Sequence, residues 1–99
     1  MQDSLSKQKS KKRKISFSLK APGADQVFLA GDFNNWDTTS HPMTKAGKGS
    51  WNKSLLLQEG SYEYKFIVDD QWEIDPKNER QCVNCFGTHN NIVRVVSKG

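Results

Sequence analysis

The chain has 99 residues, with 15 Lys and Arg against 11 Asp and Glu, and two cysteines. That length holds one small domain and excludes both a second domain and the barrel of a typical glycosidase. The net charge of +4 belongs to one end: residues 1–14 hold six basic residues and one acid (+5), while the other 85 hold nine basic and ten acidic residues (−1).

Met1 to Arg13 contains no aromatic residue, and Leu5 is its one large aliphatic. Such a segment cannot bury enough to offset its ordering entropy, so residues 1–13 are expected to be a disordered basic tail, with the folded module over residues 14–97. Lys11-Lys12-Arg13-Lys14 reads as a solubilising run, with a nuclear signal or an anionic-surface contact as alternatives. No apolar h-region follows the basic residues, and no apolar run is long enough to span a bilayer. The expectation is therefore a cytoplasmic setting with reduced thiols, and neither membrane nor nucleic acid as a partner. Asn52-Lys53-Ser54 matches a glycosylation sequon, which that setting makes a chance match.

The remaining elements read as all-β. Ile15, Phe17 and Leu19 alternate with Ser16 and Ser18, the pattern of a half-buried strand, and Ala21-Pro22-Gly23 breaks it. Val27–Ala30 is continuously apolar, as a central strand would be. Asp37–Gly49 is expected to be a polar loop. Trp51, Lys53, Leu55 and Leu57 alternate with Asn52, Ser54 and Leu56, and Glu59-Gly60 turns the chain. Tyr62, Tyr64, Phe66 and Val68 then alternate with Glu63, Lys65 and Ile67, which sets Lys65 on the face opposite Tyr64 and Phe66. Asp69-Asp70 is a short hairpin turn, because Asp tolerates left-handed φ. Gln71–Ile74 returns as a strand, Asp75–Asn90 is a long polar loop, and Asn91–Val96 is the last strand. These short strands with frequent turns predict an antiparallel β-sandwich.

Several side chains stand out against that frame. Trp36 lies between Asn35 and Asp37 in a polar turn, and Trp72 follows the Asp69-Asp70 turn by two residues. A flat, rigid indole in a loop suits the C–H face of a sugar ring; the alternative is that both indoles are lids over a small core. Lys65 alone reads as a solvated cation. Asn90 offers a donor and an acceptor, matching paired sugar hydroxyls, or else enters the last strand through an Asx turn. Asp32, Glu63, Glu73 and Asp75 are available carboxylates, but a glycosidase needs two across a deep cleft, and a sandwich of this size offers a shallow face. Asp32 reads better as a turn residue supporting the Trp36 loop. Cys82-Val83-Asn84-Cys85 is a CxxC without the helix that a thioredoxin-like redox site needs. Zinc would need His89 and the distant His41 as well, so these are expected to be plain loop thiols, with no metal and no cofactor.

Three longer stretches carry a resemblance: Val27-Phe28-Leu29-Ala30-Gly31-Asp32-Phe33-Asn34-Asn35-Trp36, Glu59-Gly60-Ser61-Tyr62-Glu63-Tyr64-Lys65-Phe66-Ile67-Val68-Asp69, and Gly87-Thr88-His89-Asn90-Asn91-Ile92. With Gln71-Trp72 and Asp75-Pro76 between them, their order and spacing resemble carbohydrate-binding module family 48. They are especially similar to the glycogen-binding domain of AMP-activated protein kinase beta subunits. The resemblance runs from about Lys14 to Val96. It implies an immunoglobulin-like fold, glucose stacking on Trp36 and Trp72, and sugar hydroxyls bonded by Lys65, Thr88 and Asn90. Phe86 stands where those subunits typically have a Leu that reaches around the glucan; it departs in shape but keeps an apolar tip.

The expected function is non-catalytic binding of an α-1,4-linked glucan such as glycogen, starch or maltooligosaccharides. The alternative is a protein-interaction domain of the same fold that docks on a kinase or a glucan-processing enzyme. Isoamylases and branching enzymes carry similar domains before a catalytic barrel, so the module either stands alone or comes from a longer protein.

Overall fold

The computed structural model describes residues 12–83 and 87–96. Among the described residues, eight strands form two antiparallel sheets: β1 (Lys12–Lys20), β2 (Val27–Gly31), β3 (Thr44–Ala46), β4 (Ser50–Gln58), β5 (Gly60–Val68), β6 (Gln71–Glu73), β7 (Gln81–Val83) and β8 (His89–Val95). One sheet has the order β1-β4-β3; the other runs β2-β5-β8-β7, with β6 also paired to β5. This is the expected all-β, sandwich-like architecture. The only helical element among the described residues is a 3-10 turn, Asp32–Asn34, and none of their helices is long and apolar enough to cross a membrane.

The period-2 patterns decide which side chains face inward. Phe17 and Leu19 of β1, Val27 and Leu29 of β2, Trp51 and Leu57 of β4, Tyr64 and Phe66 of β5 and Val95 of β8 form the core. Phe17 stands edge-on to Tyr64 at 5.0 Å, and Tyr64 edge-on to Phe66 at 6.0 Å. Both are T-shaped geometries, which suit the ring quadrupoles. The exposure of Leu56, on the outer face of β4, follows from the same alternation.

Several boundaries differ from the expected ones. The first strand starts at Lys12 rather than Ile15, with Lys12 opposite Gln58 and Arg13 opposite Leu57, so these two residues leave the tail. Residues 1–11 lie outside the described residues. The loop expected over Asp37–Gly49 contains β3, and its Phe28–Pro42 bridge covers the outer edge of β2. The loop expected over Asp75–Asn90 contains β7, and the last strand starts at His89. Both missed strands are only three residues long, Thr-Lys-Ala and Gln-Cys-Val, and they exist because a longer neighbour supplies the ladder.

The Asp69-Asp70 turn forms as expected. Both residues have positive φ, 47° and 71°, and Val68 pairs with Gln71 directly across them. Two consecutive left-handed residues make the turn whose twist matches a tight hairpin. Asp69 adds a tie: its Oδ1 accepts the backbone N–H groups of Asp25 and Gln26, both at 2.9 Å.

A second polar lock holds the segment after β6. Asn91 is fully buried on β8. Its Oδ1 accepts the Asp75 N–H at 2.6 Å, and its Nδ2 donates to the carbonyls of Asp75 and Asn78 at 3.2 and 2.9 Å. Tyr64 donates its hydroxyl to Asp75 Oδ2 at 2.8 Å and accepts from Asn78 Nδ2 at 3.0 Å. Burial, above all, raises the Tyr64 pKa, so this phenol stays a donor at any physiological pH.

Candidate functional site

The candidate site is built on the outer face of the larger sheet. Along β5 this face is Glu63, Lys65 and Ile67, the residues that alternate with the core-facing Tyr64 and Phe66. The register brings Ala30 of β2 beside Lys65, and Trp72 of β6 beside Ile67. On β8, Tyr64 pairs with Asn91, so Asn90 enters the face one step further along, with Cys82 of β7 opposite it. Cross-strand neighbours share a face, which gathers these side chains without any loop rearrangement.

Trp36 arrives from the other side. β2 ends at Gly31, where a Cβ would run into the Glu63 carbonyl and the Phe33 ring. The chain then makes its 3-10 turn and passes through two left-handed residues, Asn35 (φ 56°) and Trp36 (φ 58°). A bulky side chain in that region costs about 1–2 kcal/mol, so the surroundings must hold it there. They do so in three places. The Trp36 N–H donates to the Gly31 carbonyl at 2.9 Å, and its indole Nε1 donates to Asp32 Oδ1 at 3.0 Å. Asn34 ties the turn internally: its Oδ1 accepts the Gly31 N–H, and its Nδ2 reaches the Leu29 carbonyl and His41 Nδ1. Burial lowers the His41 pKa, with the nearby Lys53 charge acting the same way and Asp37 opposing. The neutral ring that results keeps an acceptor available to Asn34.

The two indoles meet. Their ring centroids are 6.1 Å apart with planes at 55°, an open V rather than a stack. Trp36 is half-buried, and Trp72 is 49% exposed. Neither is a core residue; each packs one side on protein and turns the other outward. Lys65 lies beneath, its Nζ 5.9 Å from the Trp72 ring centroid and 3.4 Å from Thr88 Oγ1. The ammonium therefore has a π face and a hydroxyl as neighbours.

The placement of Lys65 departs from a reading of the residue alone. It is only 9% exposed, because β6 folds Trp72 back over it, so it is not a solvated cation. Asn90 is likewise 6% exposed, and its Nδ2 donates to Glu63 Oε1 at 3.0 Å; this is a strand residue, not an Asx turn. Thr88 is exposed. Five of the six expected site residues thus share one face: Trp36, Lys65, Trp72, Thr88 and Asn90. Phe86 lies outside the described residues, as does Cys85.

Two residues of this face were not singled out for it in the sequence. By residue type Glu63 reads only as an available carboxylate, yet it joins Asn90 to the rest of the face. Its position on the Lys65 side of the alternation was the available signal. Cys82 packs next to it, and burial, a hydrogen bond to Glu63 and the charges of Glu63 and Asp32 all push its thiol pKa up. Such a thiol is poorly nucleophilic. Among the described residues, no group of three or more His, Cys, Asp or Glu side chains is placed to hold a metal ion.

Comparison with known proteins matches the sequence to a family. The family described as the glycogen recognition site of AMP-activated protein kinase matches residues 14–99. Over 70 residues the chain is 44% identical to protein PTST homolog 2, chloroplastic, of Arabidopsis thaliana, covering 71% of this chain and 13% of that protein. It is 41% identical over 73 residues to the 5'-AMP-activated protein kinase subunit beta-1 of Sus scrofa, covering 74% of this chain and 57% of that sequence. The human subunit beta-1 is also 41% identical over 73 residues, with 74% and 26% covered. The chain thus spans 13% to 57% of the length of these relatives. With its β-sandwich and its paired outer-face indoles, the chain belongs to the family of glycogen recognition domains of AMP-activated protein kinase.

Proposed function

We propose that this domain binds α-1,4-linked glucan without catalysis, on the face formed by Trp36, Lys65, Trp72, Thr88 and Asn90, with Phe86 as a further glucan contact. The observation that carries the reading is the tilted indole pair. Two rigid apolar faces at 55° suit successive sugar rings that turn relative to one another, as in a helical α-glucan, better than the flat ribbon of cellulose. Lys65 and Asn90 supply polar atoms at the base of the V, where sugar hydroxyls would point. The nearby carboxylates are already engaged: Asp32 accepts from Trp36 and from the Glu63 N–H, and Glu63 accepts from Asn90. Neither is poised as a general acid or nucleophile, so the face holds a glucan and does not cut it.

The test is a pull-down on glycogen, amylose and cellulose with maltoheptaose as competitor. Retention on glycogen or amylose, release by maltoheptaose and no retention on cellulose are the expected results; equal retention on cellulose rejects the α-glucan assignment. A second reading follows from the kinase subunits among the relatives: the same fold docks on a kinase or a glucan-processing enzyme. Maltoheptaose separates the two, because it has no reason to displace a protein partner bound elsewhere on the domain.

A further inference from the structure

Asp32 sits where the sheet stops. The β2–β5 ladder ends with the Gly31–Tyr64 pair, and beyond it β2 has turned into the 3-10 segment, so no backbone carbonyl meets the next amide of β5. Asp32 supplies the acceptor instead: its Oδ2 takes the Glu63 N–H at 2.8 Å, while Oδ1 takes the Trp36 indole N–H at 3.0 Å. One carboxylate thus ties the Trp36 loop to the central strand. Glu63 continues the path, since its Oε1 accepts from Asn90 Nδ2 at 3.0 Å. From the indole to the asparagine, the run is Trp36, Asp32, Glu63, Asn90.

We propose that Asp32 is a positioning residue of this face: it sets the angle between Trp36 and Trp72 and, through Glu63, fixes Trp36 relative to Asn90. This rests on the glucan-binding reading for its functional consequence but not for its geometry. The reasoning is energetic. Trp36 occupies a left-handed conformation that a bulky residue adopts at a cost, and among the described residues its one aromatic ring contact is Trp72. Few contacts therefore select the indole's orientation. A hydrogen bond to a charged acceptor is among the stronger restraints available, and here it is also directional. Without it, the ring keeps its half-buried contacts but can swing about its side-chain torsions, and the V is no longer preformed. A sugar would then have to order it on binding, which weakens affinity.

The experiment uses the whole chain with Asp32→Ala, Trp36→Phe and the double variant. Two indoles 6.1 Å apart couple their electronic transitions and give a circular-dichroism couplet that depends on their mutual angle. Asp32→Ala is expected to shrink or invert this couplet in the sugar-free protein while cooperative melting persists. It is also expected to weaken glycogen binding by roughly tenfold or more, through loss of the charge-assisted hydrogen bond that holds the indole, the tie to the Glu63 N–H going with it. Phe has a similar ring but no N–H for Asp32 to hold. In the Trp36→Phe background, Asp32→Ala should therefore cost under about twofold, a non-additivity that a general loss of stability does not produce. An unchanged couplet with unchanged glycogen affinity overturns the proposal, as does a full additive loss in the Trp36→Phe background. Should the unaltered chain fail to bind glycogen, the glucan reading falls, and the couplet still decides whether Asp32 positions the indole.

Discussion

Replacing Trp72 by Ala separates a binding platform from a core lid, and the structure sets the sizes of the two effects. Trp72 is 49% exposed, so about half of its surface lies on protein, with the Trp36 ring and the Lys65 ammonium among its neighbours. A fully covered aromatic side chain buries about 150–250 Å². Half of that is about 100 Å², worth at most about 2.5 kcal/mol at 25 cal/mol per Å². A small domain has about 5 kcal/mol or more in total, so Trp72→Ala should melt earlier but still cooperatively. Binding should suffer more in proportion. A flexible sugar held by two rings and a few hydrogen bonds is expected to bind with a dissociation constant of about 10 μM to 1 mM, roughly −7 to −4 kcal/mol. Truncating a central aromatic contact typically costs about 2 kcal/mol or more, close to 30-fold in affinity. Glycogen retention in native gel electrophoresis should therefore vanish, while urea denaturation still shows one transition with an unchanged slope. Loss of the cooperative transition, or full retention on glycogen, refutes the platform at Trp72.

Asn91→Leu should be far more damaging to stability than its size suggests. It strands the Asp75 N–H and the Asp75 and Asn78 carbonyls, at about 1–3 kcal/mol for each buried group; a urea midpoint shift equivalent to under about 1 kcal/mol would show that the lock is dispensable. His41 should make the domain acid-sensitive. Its folded pKa lies below the ordinary 6.5, so the unfolded chain binds the proton first, and stability is complete above about pH 6.5 and falls as pH drops from there toward the folded value. Melting temperatures measured from about pH 7.5 to about pH 5.5 should decline less in His41→Gln than in the unaltered chain; parallel curves would exclude His41 as the cause. Gly31→Ala should destabilise by about 2 kcal/mol or more, because its methyl group meets the Glu63 backbone and the Phe33 ring. A melting temperature unchanged by this substitution would show that the turn yields easily.

The legible part of this fold is the part with long alternation. Tyr62–Val68 announces which residues face the core and which face out, and the Asp69-Asp70 turn fixes the hairpin that follows. The short strands β3 and β7 are too short to show such alternation, because three residues pair only when a neighbour is already in place. For the site, the residue types were readable, but their burial was not. Lys65 is covered because β6 lays Trp72 over it, a consequence of hairpin register and not of any property of Lys65. The adjacent asparagines show the same limit. Asn90 and Asn91 differ by one position and so take opposite faces: the first bonds Glu63 beneath the indoles, and the second is sealed in the interior. The left-handed backbone at Trp36 had no sequence signal at all, since nothing in Asn34-Asn35-Trp36-Asp37 demands positive φ at the indole.

The lock around Asn91 also bears on how the molecule opens. Residues Asp75 to Asn78 form no ladder, so their amides would be expected to exchange with solvent hydrogen as fast as any surface turn. Yet the Asp75 amide is held by the Asn91 side chain and the Lys77 amide by Asp75 Oδ1, and both anchors run to β8 and to the Tyr64 hydroxyl of β5. Exposing the Asp75 amide requires breaking its bond to β8, whereas the Lys77 amide needs only the release of a bond local to the turn. The Asp75 amide should therefore open only with the centre of the larger sheet and stay protected nearly as long as those of β5, while the Lys77 amide exchanges sooner.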